Sequence, residues 1–282
     1  MNQIVRQEAE ALNEIVAPLT YIKPQDKKPV FESQAYTGGQ ARFLFEVEDH
    51  PVPIADLRPE ASRFTLDREG FALRHVPTGV DDLYDDADIE AAYFDEVRAL
   101  LTSEYGASRV AIFDATRRSD GGAGATNKDG ARGVASRIHV DYTAKSGPQR
   151  ARDALGDAEY DRVLAAGGRI VQVNVWRPIS GPVRRAPLAL ADATTVAAED
   201  LVATDQVFPD RVGEIYHLHH AQGQRWYYAP EMTRDEVLLI KGWDSDESRA
   251  QFTPHTAFQL PDQDPAAPAR ESIEVRTYVV IE

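Results

Sequence analysis

Ser136-Arg137-Ile138-His139-Val140-Asp141 is the stretch on which the reading of this 282-residue chain turns. In an extended strand successive side chains point to opposite faces, so His139 and Asp141 share one face while Val140 takes the other. An imidazole and a carboxylate at that spacing can chelate one metal ion from a single strand end. A second imidazole would hold the ion from the same side and leave the opposite positions open, an arrangement suited to ferrous iron that must also bind O2 and a co-substrate. His-x-Asp alone is common on protein surfaces, so the surrounding order must carry the argument.

Outward from the motif the chain reads mainly as strands. Arg169-Ile170-Val171-Gln172-Val173-Asn174-Val175-Trp176-Arg177 is a β-branched run that reads as a buried strand. Asp235 to Lys241 reads as another, followed by the turn-forming Gly242-Trp243-Asp244-Ser245, then Thr253-Pro254-His255-Thr256-Ala257-Phe258, and a last strand from Arg270 to Ile281. Towards the amino terminus, Phe43 to Val47 and Phe71 to Val76 read as strands joined by the proline-rich stretch from Pro51 to Pro59. Helical spacing is clearest from Asp88 to Tyr105, with Ile89, Ala92, Tyr93, Val97, Leu100 and Leu101 on one stripe and Asp85, Asp86 and Asp88 suiting its positive end. Pro148 to Ala166 repeats that spacing, and Ile4 to Val16 predicts a short helix serving as an arm or as a contact between copies. The glycine-rich segment from Asp114 to Ala135 lacks the Lys-Ser/Thr ending of a phosphate-binding loop and is expected to be a mobile lid.

Composition narrows the chemistry. The chain has no cysteine, which excludes disulfides, thiolate-bound zinc, iron–sulfur clusters and a thiol nucleophile. Its 31 basic and 46 acidic residues give a formal charge of −15, which disfavours a nucleic-acid partner. No apolar run approaches a membrane span and Met1 to Glu8 has no signal-like core, so a cytoplasmic location is expected.

The ordered set His139-Val140-Asp141, Asn174-Val175-Trp176-Arg177-Pro178, Pro187-Leu188-Ala189-Leu190, Arg225-Trp226-Tyr227-Tyr228, Trp243-Asp244-Ser245, Pro254-His255-Thr256-Ala257-Phe258 and Arg270 to Arg276 resembles Fe(II)/2-oxoglutarate-dependent oxygenases. Within them it is similar to gibberellin-desaturase-like and cephamycin-methoxylation-related proteins. The resemblance covers most of the chain from about residue 30 onward. It implies a mainly β fold with flanking helices and a double-stranded β-helix core of the jelly-roll, cupin-like kind. One oxygenase domain would span residues 1–282, with an arm over 1–30, strands, helix and lid over 31–135, and the core barrel over 136–282. It also implies Fe(II), with 2-oxoglutarate and O2 as co-substrates, and hydroxylation or desaturation of a small secondary-metabolic molecule.

The same resemblance selects the third ligand. His50 and His75 precede the barrel, and the cluster Tyr216-His217-Leu218-His219-His220 offers two histidines on one strand face. His255 follows a hydrophobic strand and precedes Arg270-Glu271-Ser272, which is the family's order, so His139, Asp141 and His255 are the expected iron ligands and catalytic centre. A planar guanidinium suits the distal carboxylate of 2-oxoglutarate. Arg270, Ser272, Glu274 and Arg276 share one face by the period of two, which leaves Arg270 and Arg276 as rival clamps with Ser272 beside them. Asn174 is a further co-substrate candidate, and Tyr142, Trp176, Trp226 and Tyr228 are candidate substrate contacts. Two other readings use the same residues: a cupin-like enzyme holding zinc or manganese, and a non-catalytic partner of a biosynthetic enzyme.

Overall fold

The computed structural model describes residues 13–282. A ten-stranded sheet and a five-stranded sheet face each other, and a small hairpin stands apart. The smaller sheet runs, edge to edge, through Phe71–His75, Glu236–Asp244, Arg169–Pro178, Glu271–Ile281 and Arg109–Ser119, each neighbouring pair antiparallel. Together the sheets form the double-stranded β-helix.

Strand Arg169–Pro178 shows how alternation sorts side chains. Val171, Val173 and Val175 join Val275, Val279, Ile89, Tyr93, Val97 and Leu101 in one core cluster, so this face carries the helix Phe94–Tyr105 and the π-helical turn before it. The opposite face presents Gln172, Asn174 and Trp176 to the space between the sheets, opposite Tyr278, Arg276 and Glu274 of the neighbouring strand. At one end this space is apolar, packed by Trp176, Leu190, Tyr227, Leu238, Ile240 and Phe71. At the other end it is charged. Beyond the charged end, Ile170, Trp243, Tyr278 and Val280 pack on Ala151, Leu155, Tyr160 and Val163 of two helices, Ser146–Leu155 and Asp157–Ala165.

The larger sheet curls back on itself. Thr20 of its edge strand Glu14–Ile22 bridges Arg137, bringing that strand against the one carrying His139. Ala17, Leu19, Tyr21, Ile54, Ile138, Ala189, Ala191, Trp226, Tyr228 and Phe258 fill the resulting second core.

Several sequence expectations change. Glu14–Ile22 is a strand, so the amino-terminal helix does not extend into it, and the rest of that expectation lies outside the described residues. The proline-rich link instead continues a strand, Val47–Asp56, in which Pro51 faces Pro18 and Pro53 faces Val16. Those prolines precede Ile54, where the second neighbour Trp226–Tyr228 begins to pair, so no donor is lost to that neighbour. Phe43 to Val47 is broken between the short strand Arg42–Phe43 and this longer one. Gly242 to Asp244 extend a strand instead of turning, and Pro148 to Ala166 is two helices, divided at Gly156 with φ +88. The expected lid is largely ordered structure: Arg109–Ser119 is a long strand, and Ala125–Asn127 with Gly130–Arg132 forms a hairpin. Asn127 ties that hairpin down, accepting from Arg117 N at 2.7 Å and donating to Arg117 O at 3.0 Å. Among the described residues no helix is long and apolar enough to cross a membrane.

Candidate functional site

His139 opens a two-residue strand wedged between two longer neighbours, with His255 directly opposite on one side and His217 directly opposite on the other. Directly opposed residues of paired strands project to the same face, so all three rings enter the same interior. His139, Asp141 and His255 offer ligand atoms that all lie within 4.8 Å of one another. The two rings are 4.5 Å apart at 52°. Each has its Nδ1 against a backbone carbonyl, Arg137 O at 2.9 Å for His139 and Thr253 O at 3.0 Å for His255. A carbonyl only accepts, so Nδ1 carries the proton and Nε2 the free lone pair, the form a metal requires. Asp141 Oδ1 stands 3.6 Å from His139 Nε2, too far for a hydrogen bond and fitting two lone-pair atoms that converge on one ion.

Burial and charge in this pocket keep His139 neutral and Asp141 ionised. Burial, then the charge of His255, pushes His139 down to about 3. Burial opposes ionisation of Asp141, but Arg276, the two histidines and Asn174 hold its carboxyl well below the usual range. Asp141 Oδ2 accepts from Asn174 Nδ2 at 2.7 Å and from Arg276 Nε at 3.1 Å, which leaves Oδ1 for a metal. Because a carboxylate cannot donate, the Asn174 amide must turn its NH2 to Asp141 and its carbonyl to Gln172, whose Nε2 donates at 2.6 Å. Gly242 makes that chain fit: a Cβ there would stand 2.0 Å from Gln172 Oε1.

The two arginines that the sequence left as rivals have opposite surroundings. Arg276 Nη1 donates to Asp114 Oδ2 at 2.5 Å and Thr116 Oγ1 at 3.3 Å, in addition to its Nε bond to Asp141. Its Nη2 is 2.5 Å from Glu274 Oε1, an ion pair without good hydrogen-bond alignment. Arg270 is buried, yet its Nε and Nη2 have no partner among the described residues. Its guanidinium lies 5.5 Å from the ring centre of Trp176. Burial, then the charge of Arg118, pushes it down to about 10. Ser272 is buried on the same face, and its hydroxyl makes only a long 3.5 Å contact with Arg118 O. An enclosed guanidinium with two idle donors and a hydroxyl beside it fits a small carboxylate.

The aromatic candidates separate by face. Trp176 stays in the interior beside Arg270. Leu190 pairs with both His255 and Tyr227, so Tyr227 faces the interior while Trp226 and Tyr228, two of the candidate substrate contacts, point into the second core, away from the cluster of His139, Asp141 and His255. Tyr142 packs with Phe113 and Tyr278 at the helix side, where burial pushes its hydroxyl up. His219 leaves the strand end and His220 stacks on His50 at 3.9 Å, so of that cluster only His217 enters the interior. Gln172, Asp114, Thr116 and Arg118 were not foreseen as site residues. Gln172 was within reach of strand periodicity, two positions before Asn174; the other three belong to a strand whose pairing partner the sequence does not name.

A family model described as an oxidoreductase/YMDC permease-like domain matches residues 19–280. The Fe(II)/2-oxoglutarate-dependent dioxygenase nvfI of Aspergillus novofumigatus (strain IBT 16806) is 30% identical over 249 residues, covering 86% of this chain and 87% of that protein. The hydroxylase/desaturase efuI of Hormonema carpetanum is 29% identical over 283 residues, covering 93% of each. Among solved structures, that of the iron and alpha-ketoglutarate-dependent endoperoxidase NvfI superposes with a TM-score of 0.82 at 27% identity, over 94% of this chain and 97% of that one.

Proposed function

The chain belongs to the Fe(II)/2-oxoglutarate-dependent dioxygenase family, and from that premise we propose that His139, Asp141 and His255 hold the iron and that Arg270 with Ser272 holds the far carboxylate of 2-oxoglutarate. The reaction is oxidation of a small, secondary-metabolic molecule, by hydroxylation or desaturation, with release of succinate and CO2; the names of two relatives, a dioxygenase and a hydroxylase/desaturase, support the reaction type. The observation that carries the assignment is the convergence of the ligand atoms within 4.8 Å with both Nδ1 atoms already engaged. Iron bound with 2-oxoglutarate and O2 supplies an oxidant able to remove hydrogen from an unactivated C–H bond.

The chain's own residues do the positioning. Arg276 and Asn174 fix Asp141 from one side and keep it ionised, so the ion meets a charged carboxylate without reorganisation. The carbonyls of Arg137 and Thr253 fix the imidazole tautomers. Arg270, already desolvated, has its donors free before the co-substrate arrives and loses little on binding. The apolar packing of Trp176, Leu238 and Ile240 excludes water from that end of the interior. A cytoplasmic enzyme folded as one domain is part of the same reading.

The test is anaerobic titration with Fe(II) and 2-oxoglutarate, in which a weak visible charge-transfer band develops in the wild type. His139→Ala, Asp141→Ala and His255→Ala each abolish the band and 2-oxoglutarate-dependent succinate formation, whereas His217→Asn retains the band. Full iron binding by His255→Ala, with loss of the band in His217→Asn, would move the third ligand to His217.

A further inference from the structure

His217 faces the same interior as His139 without belonging to the group of three ligands. Its Nδ1 is tied to Thr204 Oγ1 at 2.8 Å, so Nε2 is the nitrogen left for another group. From this ring an aromatic wall runs outward: Phe45 lies 4.9 Å from His217, and Phe43 lies 5.7 Å from Phe45. Phe43 is 41% exposed, which places it at the rim. The guanidinium of Arg137 lies 3.8 Å from the ring centre of Phe43. Arg137 is also the residue whose carbonyl fixes His139, so rim and metal cluster are joined through a single short segment. Among the described residues its guanidinium makes neither a hydrogen bond nor an ion pair.

Resting on the metal-centre reading above, we infer that this wall is the substrate-recognition face and that the substrate is an apolar small molecule carrying a carboxylate. Arg137 takes the carboxylate at the rim, the carbon skeleton lies along Phe43 and Phe45, and the reacting end reaches the metal cluster beside His217. The physical reason is the combination. A guanidinium stacked on a ring keeps its in-plane donors for a bidentate anion. A partly exposed aromatic surface at the mouth of a concave interior gains by covering itself with hydrocarbon. His217 is the polar group of this wall next to the cluster, so it orients the reacting end by one hydrogen bond.

Binding of fluorescent 1-pyrenebutyrate and of neutral 1-pyrenebutanol, followed by anisotropy on the metal-free protein, tests this without requiring turnover. The acid is expected to bind about tenfold more tightly than the alcohol, the worth of one charge-assisted contact. Arg137→Gln removes that preference and leaves the alcohol unchanged, Arg137→Lys restores part of it, and Phe43→Ala weakens both probes alike. Equal binding of acid and alcohol by the wild type, an undiminished preference in Arg137→Gln, or no binding of either probe would overturn the inference. Anaerobic Fe(II) and 2-oxoglutarate titration of the same wild-type protein separates the two readings. Absence of the charge-transfer band overturns the metal centre, whereas a normal band with no acid preference overturns the substrate class alone.

Discussion

Arg270 and Arg276 stand six positions apart, on the same face by the period of two, and they teach opposite lessons about buried charge. Arg276 is surrounded by Asp141, Asp114 and Glu274, and burial is outweighed by these carboxylates, which hold its pKa well above the ordinary value. Arg270 is withdrawn further from water but leaves two nitrogens idle, and burial pushes its pKa down. A saturated buried cation belongs to the architecture. An unsaturated one stores a desolvation penalty that a ligand can offset, which is why Arg270 is the proposed clamp.

Removing each guanidinium in turn tests whether the two buried cations differ as their surroundings indicate. Arg276→Leu strands three carboxylates around an apolar side chain, so a loss of about 3 to 5 kcal/mol in unfolding free energy is expected, as for breaking one side of a buried ion pair. Iron affinity falls with it, because Asp141 loses a partner that keeps it ionised. Urea unfolding of the metal-free protein measures the first effect. Unchanged stability would mean that Arg276 is as idle as Arg270. Arg270→Leu is expected to leave the unfolding free energy within about 1 kcal/mol of wild type, since it removes an unpaired charge. It weakens 2-oxoglutarate roughly a hundredfold, about 3 kcal/mol, as read from titration of the charge-transfer band. Normal 2-oxoglutarate affinity in that variant would sink the clamp assignment and turn attention to Arg118.

The sequence showed which way these arginines point but not what they meet. Period-two alternation is a local property, so His139 with Asp141, and Arg270 with Ser272 and Arg276, could be read as shared faces. Choosing between the arginines needed Asp114 and Asp141, which lie 162 and 135 residues away in the chain. The same limit left the faces of Trp226 and Tyr228 undetermined: only pairing of Tyr227 with Leu190, and of Leu190 with His255, sets which member of that aromatic run looks inward. His255 could be chosen because the order of strand, histidine and arginine is carried by several segments at once, and its ring lies 4.5 Å from that of His139. Pro51 and Pro53 misled for a related reason, since proline forbids a strand only where a neighbour needs its donor, and that depends on the pairing.

Across the interior, the histidine wall extends the comparison to groups buried in their neutral form. Burial, followed by the charge of Arg137, pushes His217 down to about 4 from an ordinary value near 6.5. The unfolded chain therefore takes up a proton between those values while the folded protein does not. The contribution to stability is complete above pH 6.5 and is lost as pH falls towards 4. At pH 5 the loss is about 2 kcal/mol from this residue. Urea unfolding of the metal-free protein at pH 7 and pH 5 measures the slope, and His217→Asn should flatten it by roughly that amount. An identical slope in the variant would show that His217 is charged in the fold, with a partner on this wall.

The smallest expected effect separates positioning from stability within the satisfied region itself. Gln172 donates to Asn174, and Asn174 donates to Asp141, yet Gln172 Oε1 has no partner among the described residues. Gln172→Met removes one good hydrogen bond and one unpaired acceptor together, at nearly constant volume. These changes offset each other, so stability should shift by less than about 1 kcal/mol. Iron affinity should nevertheless fall about tenfold, because the Asn174 amide is freed to rotate and Asp141 loses the donor that orients it. The readout is the pair of measurements on one sample, an unchanged urea midpoint with a weakened Fe(II) titration. Equal loss in both would reduce Gln172 to a packing residue, and no loss in either would show that Arg276 orients Asp141 without help from this strand.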